Sequence, residues 1–215
     1  MSHPTPLPTL ILASGSPQRR QLLAAAGYRF EVVVPHESAE CGICSATGPA
    51  GLVAELAMRK GANAVEQLLA AGKRGPDGPS LVIACDTVAE CGGEILGKPV
   101  DEPHARGMLT RLRGNDHRVY SGLCVWLLPA GTARTTSGAR PPELRVATTH
   151  LRMGSISDSH LEQYLASGQW RDKAGAFGYQ DRPGWLQITR GSESNVIGLP
   201  MELLADMLSG YGLGR

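Results

Sequence analysis

The sequence predicts a mixed α/β fold. Three observations carry the prediction. Short apolar runs alternate with segments whose apolar residues recur at helical spacing. One run, Leu81 to Cys85, is nearly all apolar, as suits a central strand covered on both faces. Two further strand-like runs follow one another across a long polar loop, as an antiparallel pair does.

The elements follow in order. Leu10 to Ala13 reads as a buried strand that reaches a turn at Ser14, Gly15, Ser16 and Pro17; Leu22, Leu23 and Ala26 then recur at helical spacing until Gly27 stops them. Phe30 to Val34 is a second strand, ended by Pro35. From Leu52 to Leu69 the residues Leu52, Val53, Leu56, Ala57, Val65 and Leu68 suit a long amphipathic helix, and Gly72 to Ser80 a surface loop. After the central run come a hairpin over Val88 to Leu96 that turns at Gly92 and Gly93, a helix over Ala105 to Leu112, and a strand over Val119 to Leu128. A Pro/Gly/Thr-rich loop from Pro129 to Pro142 leads to a strand near Leu144 to Leu151. Ser157 caps a helix to Ala166 with Asp158 at its positive end, Trp185 to Thr189 is the last strand, and Leu199 to Leu208 the closing helix. No internal repeat appears, and 215 residues suffice for one substantial core, so a single domain over residues 1–215 is expected.

Bulk composition excludes several functions. With 21 basic and 20 acidic residues the formal charge is +1, which leaves no general field to draw a nucleic acid polymer or an anionic membrane; any anion binding must be local. No basic segment leads into a sustained apolar run, and no stretch approaches the roughly 20 apolar residues of a membrane span, so a cytoplasmic protein is expected. The five cysteines are irregularly spaced, and Cys85 and Cys124 sit in apolar runs, which argues against a disulfide framework. Cys41 and Cys44 have zinc-ligand or redox spacing, but no second pair follows them, so a structural loop is expected there.

The most distinctive local signal is ASGSPQRRQLL at 13–23. Ser16 is a good N-cap and Pro17 suits the first helical position, so free backbone amides and the positive helix end face the loop; Gly15 permits close approach, and Ser14, Ser16 and an arginine can hold oxygens. A capped helix with solvated arginines accounts for the same residues. Neither the P-loop pattern nor the dinucleotide fingerprint is present.

Three more blocks extend the signal: ACDTVAECGGEILGKP at 84–99, KAGAFGYQ at 173–180 and GSESNVIGLP at 191–200. In this order, together with SGSPQRRQLL, they strongly resemble the Maf family of nucleoside triphosphate pyrophosphatases over nearly the whole chain. The resemblance implies a mixed twisted sheet flanked by helices, with two lobes around a cleft, a Maf/ITPase-like fold. It also implies cleavage of a nucleoside triphosphate by water between its α and β phosphates, assisted by a divalent cation, Mg2+ or Mn2+. Homodimers are common in the family.

By its own position, Asp86 follows the central strand where a carboxylate emerges at a sheet's end, fit to deprotonate water, to hold a metal, or only to make an Asx turn. The resemblance assigns it the proton-acceptor role. It likewise singles out Lys60 and Lys98 to neutralise charge developing on the triphosphate, although a lysine on an amphipathic helix is ordinarily solvent-facing. Arg19 matches the family's second arginine after the Ser-Pro pair and is the expected phosphate partner, with Lys173 of the KAGAFGYQ block a secondary one. A family acid falls shortly after the second strand, at Glu37 or Glu40, and Glu40 is the metal candidate. His117 is expected to be a structural hydrogen-bonding residue.

Three family positions sort substrates: here they are Gln18, Thr87 and Gln180. Threonine and glutamine resemble the dTTP/UTP type, whereas the 7-methyl-GTP type carries tryptophan, glutamine and glutamate. Gln18 departs from the arginine of the dTTP/UTP type. A neutral amide at 180 suits an uncharged pyrimidine edge. A non-catalytic nucleotide-binding protein acting in cell division is the alternative that the same resemblance allows.

Overall fold

The computed structural model describes residues 7–36, 39, 47–72, 78–129, 140–181 and 184–213. Glu37, Glu40, Cys41 and Cys44 lie outside them, as do most of the expected loops at 72–80 and 129–142.

The run marked as central is indeed the middle of the sheet. β3 (Ser80–Cys91) is buried along almost its whole length and lies between β1 (Thr9–Ala13) and β5 (Asp116–Leu128). Outward from these, β2 (Phe30–Val32) pairs with β1, while β6 (Glu143–Met153) and β7 (Leu186–Arg190) continue beyond β5, and β4 (Glu94–Leu96) returns on β3. β1, β2 and β3 are parallel and the remaining pairings antiparallel. Parallel neighbours need crossover helices, and α1 (Pro17–Ala25) and α2 (Gly48–Ala70) supply them. Since the chain passes from β1 to β2 on one side and returns to β3 on the other, strand order reverses at the carboxyl end of β1, the place where open α/β sheets build ligand crevices.

Alternation along β3 divides the packing. Leu81, Ile83 and Cys85 pack with Leu23 of α1 and with α6 (Met201–Ser209), while Val82 and Ala84 face α2 through Ala57, Ala64 and Val65. Toward the other end of the strand, Ala89 and Cys91 join a separate core with α3 (Glu102–Leu112) and α4 (Asp158–Ser167). The long strands β3 and β5 thus carry one core at each end, and the expected cleft opens between them.

The expected hairpin and central strand are one continuous element. No glycine or proline interrupts residues 80–91, so the first hairpin arm is simply the end of β3, and Asp86 lies in mid-strand rather than at a sheet's end. Its partner Gly122 keeps the β5 register through the whole run. The second strand is shorter than expected, ending at Val32, and the long helix begins earlier, at Gly48. α5 (Glu193–Ile197) and a 3-10 turn over Ala174–Ala176 had no periodic signal and were not expected. No helix among the described residues is long and apolar enough to cross a membrane.

Candidate active site

On its outer edge β3 pairs with β1 only as far as Ala84 and with β4 only from Ala89 onward. Between these limits the edge is open, and Asp86 and Thr87 face a cavity of about 660 Å3, within the usual range for a small-molecule site. Asp86 follows Val82 and Ala84 on the α2 face, and Thr87 follows Cys85 on the α1 face, so the cavity reaches both sides of the sheet at this gap.

Lys60 is the residue that alternation places opposite Asp86. α2 buries it among Ala57, Ala64 and Val65, and its Nζ donates to Asp86 Oδ1 at 2.6 Å. Both residues are over nine-tenths buried, at 7% and 8% exposure, so this is a buried ion pair, and the alternatives of a solvent-facing lysine and an Asx turn fall away. Glycines set the approach of α2: a Cβ at Gly122 would lie 2.1 Å from the Val53 carbonyl oxygen, and one at Gly61 would lie 3.2 Å from Cys124 Sγ. No described residue hydrogen-bonds Asp86 Oδ2, which leaves that oxygen to meet a water or a cation.

The turn after β1 closes the same cavity. Ser16 caps α1 by accepting from Arg19 N at 3.4 Å, and its hydroxyl donates to Gln18 Oε1 at 3.0 Å. Ser14, buried, accepts from Ser16 N at 3.1 Å. Arg19 is spent largely on the protein itself: Nε donates to Gly198 O at 2.7 Å, Nη1 to Cys85 O at 2.6 Å, and Nη2 to Thr87 Oγ1 at 3.3 Å. The guanidinium fork therefore ties α1 to the open edge of β3 and to the turn after α5, while still lining the cavity. Thr87 Oγ1 also shares a hydrogen bond with Ser121 Oγ at 2.8 Å.

Lys98, exposed after β4, and Lys173, before the 3-10 turn, line the opposite wall with Gln180. All the expected site residues that fall among the described ones, namely Ser14, Ser16, Gln18, Arg19, Lys60, Asp86, Thr87, Lys98, Lys173 and Gln180, thus border one cavity. Two groups were missed. Asp181 lines the cavity and receives Lys173, and Arg171 adds a further cation; both lie in a segment without periodicity, where only proximity to the KAGAFGYQ block could have drawn attention to them.

Toward the α3/α4 core the lining becomes apolar, through Ala89, Leu112, Val119, Met153 and Phe177. His117 stands among them inside β5, 6% exposed, its Nδ1 buried without a hydrogen-bond partner among the described residues. Burial pushes its pKa below the ordinary histidine range, so it is neutral near pH 7 and is no phosphate-binding cation. Burial also raises the Cys85 thiol, which keeps that neighbour of Asp86 protonated and inert.

No group of three His, Cys, Asp or Glu side chains among the described residues forms a metal cage. An oxygen-seeking cation such as Mg2+ is commonly held by one or two carboxylates together with substrate phosphates, and Asp86, with one oxygen toward the cavity, fits a cation of that kind.

The cavity thus joins a carboxylate–ammonium pair, a serine-bounded helix start and an apolar chamber, the three parts that a polyphosphate joined to a ring would need. Comparison with known proteins gives a matching picture. The family model described as Maf-like protein matches residues 9–211. A dTTP/UTP pyrophosphatase of Rhodopirellula baltica is 46% identical over 207 residues, covering 94% of this chain and 82% of the relative. Proteins of the same name from Salinibacter ruber (40% over 198 residues, 91% of this chain and 87% of the relative) and a Chelativorans species (38% over 213 residues, 99% and 94%) are also similar. Among solved structures, the Staphylococcus aureus Ham1 protein overlaps 94% of this chain and 98% of its own at 17% identity with a TM-score of 0.47, too loose a likeness to carry an argument.

Proposed function

From the premise that this chain belongs to the Maf-like protein family, we propose that it is a nucleoside triphosphate pyrophosphatase that converts dTTP or UTP to the monophosphate and pyrophosphate. The observation that carries the reading is the buried Asp86–Lys60 pair at the open edge of β3, facing the same cavity as the turn after β1.

In this reading, Lys60 holds Asp86 Oδ1 and so orients Oδ2 toward the water that attacks. Asp86 takes that water's proton as the new P–O bond forms. The bond between the α and β phosphates breaks, and pyrophosphate departs with the electron pair. Backbone amides at the start of α1 and the hydroxyls of Ser14 and Ser16 receive phosphate oxygens. Lys98 and Lys173 face the departing charge, and because they are already in place, little reorganisation is needed as it develops. Arg19 lines the phosphate end while its bonds to Cys85 and Gly198 keep α1 and β3 in register. When bound, a divalent cation would be held by Glu40 and the substrate phosphates beside the Asp86 carboxylate, and would supply further charge neutralisation on the phosphates.

The base belongs in the apolar chamber. Gln18, Thr87 and Gln180 all border the cavity, and an uncharged amide at 180 suits the mixed donor and acceptor edge of thymine or uracil. The names of three relatives over 35% identical support the same substrate class. A panel of canonical and modified nucleoside triphosphates with Mg2+ or Mn2+, read by pyrophosphate release, tests the proposal. Highest kcat/KM for dTTP and UTP is expected. Tight nucleotide binding with no pyrophosphate from any member would replace it with a non-catalytic regulatory role.

A further inference from the structure

Segment 171–181 forms the far wall of the cavity, and its backbone is unusual. Asp172 at φ 63° and Ala176 at φ 61° are the two non-glycine residues with left-handed backbone among those described. Conformations of that kind persist only where surrounding contacts over-determine them, and they gather at ligand-binding segments. Gly175, also left-handed, donates its N–H to Gly97 O at 3.0 Å and so docks the segment on the loop that carries Lys98.

The other fastening is a single carboxylate oxygen. Asp181 Oδ2 accepts from Lys173 Nζ at 2.5 Å, from Tyr164 Oη at 2.6 Å and from Gly178 N at 3.1 Å. Tyr164 is fully buried in α4 and packs its ring against Phe177 and Trp185, so the carboxylate is anchored to the core from behind. In front, Lys173 faces the cavity with two ammonium hydrogens beyond the one it gives to Asp181.

We propose that Asp181 is a positioning residue for the nucleotide: it holds the Lys173 ammonium at the cavity wall so that the cation meets the phosphates without first being ordered. This rests on the reading of the cavity as a nucleotide site. A lysine on a free four-carbon stem loses much rotamer freedom when a ligand captures it, and a cation already fixed by a second charge loses less. The negative end of the pair points back to Tyr164 and Gly178, and the positive end points to the substrate.

The test is a double-mutant cycle over wild type, Asp181→Asn, Lys173→Met and the double variant, each shown folded by its thermal transition. Asparagine keeps an acceptor for Tyr164 and Gly178 but not the charge. With Lys173 present, Asp181→Asn is expected to raise KM about tenfold while kcat stays within about twofold; in the Lys173→Met background its effect should shrink below about twofold. An equal effect in both backgrounds, or none with Lys173 present, overturns the proposal. Should Asp181→Asn fail to fold, Asp181→Glu, which keeps the charge, is expected to hold KM within about threefold of wild type, and a KM as high as that of Lys173→Met counts against the idea. Calorimetric titration of the four proteins with inorganic pyrophosphate separates this from the activity. The same non-additive pattern in Kd supports the positioning role even in an enzyme that turns over none of the nucleotides tried, whereas additive Kd values reject it.

Discussion

Asp86 and Lys60 depend on one another in a way that can be read as stability. Removing one member of a buried ion pair leaves an uncompensated charge, at a cost of roughly 3–5 kcal/mol, whereas removing both leaves none. Lys60→Met is therefore expected to destabilise the protein by about that amount, and the added change Asp86→Leu to restore part of it, measured by denaturant unfolding; equal stability of wild type and Lys60→Met would contradict the buried pair. His117 gives a pH-dependent counterpart. Its folded pKa lies below the ordinary 6.5 because burial disfavours the cation, so below pH 6.5 the unfolded chain binds more protons and stability falls with falling pH. The contribution is complete above the unfolded pKa. The melting temperature should drop between pH 7.5 and 5.5, with a smaller drop in His117→Gln; parallel profiles would reject this origin. At this scale Asp86 borders the cavity, as expected, but its setting was not legible, because the Lys60 contact joins residues 26 positions apart and only the family likeness singled out one lysine of α2. Arg19 was legible as a residue, while its bonds to Cys85 and Gly198 carbonyls were not, since backbone acceptors leave no mark in a sequence.

α2 and β5 form the contact on which the pair's geometry rests. Gly122 lets the helix backbone approach until a Cβ would fall 2.1 Å from Val53 O, a backbone atom that cannot swing aside. Gly122→Ala should therefore push α2 away, lengthen the Lys60–Asp86 contact and lower kcat and melting temperature together; loss of neither would show that the contact is slack. Overpacking of this kind typically costs about 1–3 kcal/mol. Elements with strong signals were legible. The capped start at Ser16, the long amphipathic helix and the antiparallel pair of β5 and β6 all formed where expected, within a few residues. What failed was the division of β3 into a central strand and a hairpin, since hydrophobicity alone shows no break or continuity across a polar Asp-Thr pair. The five-residue α5 is too short to show a period, and the 3-10 turn takes its shape from Gly97, Asp181 and the core behind it.

The whole molecule places its chemistry at a break in its own sheet. Strand order reverses at the end of β1, β4 does not pair until Ala89, and the two cores grip β3 and β5 on either side of the gap, so a crevice follows from the topology. Long-range placement of this kind was legible only through the order of four motif blocks. Composition and periodicity reached a mixed α/β chain with an anion-binding turn and no further. The proposed reaction turns on the Asp86 carboxylate at this gap as the group that takes the proton from the attacking water. It is tested most directly by pyrophosphate release from UTP and dTTP by Asp86→Asn beside wild type, in protein whose cooperative melting shows it folded. A kcat at least about 100-fold lower is expected, in line with loss of a general base; turnover equal to wild type would rule out Asp86 as the proton acceptor.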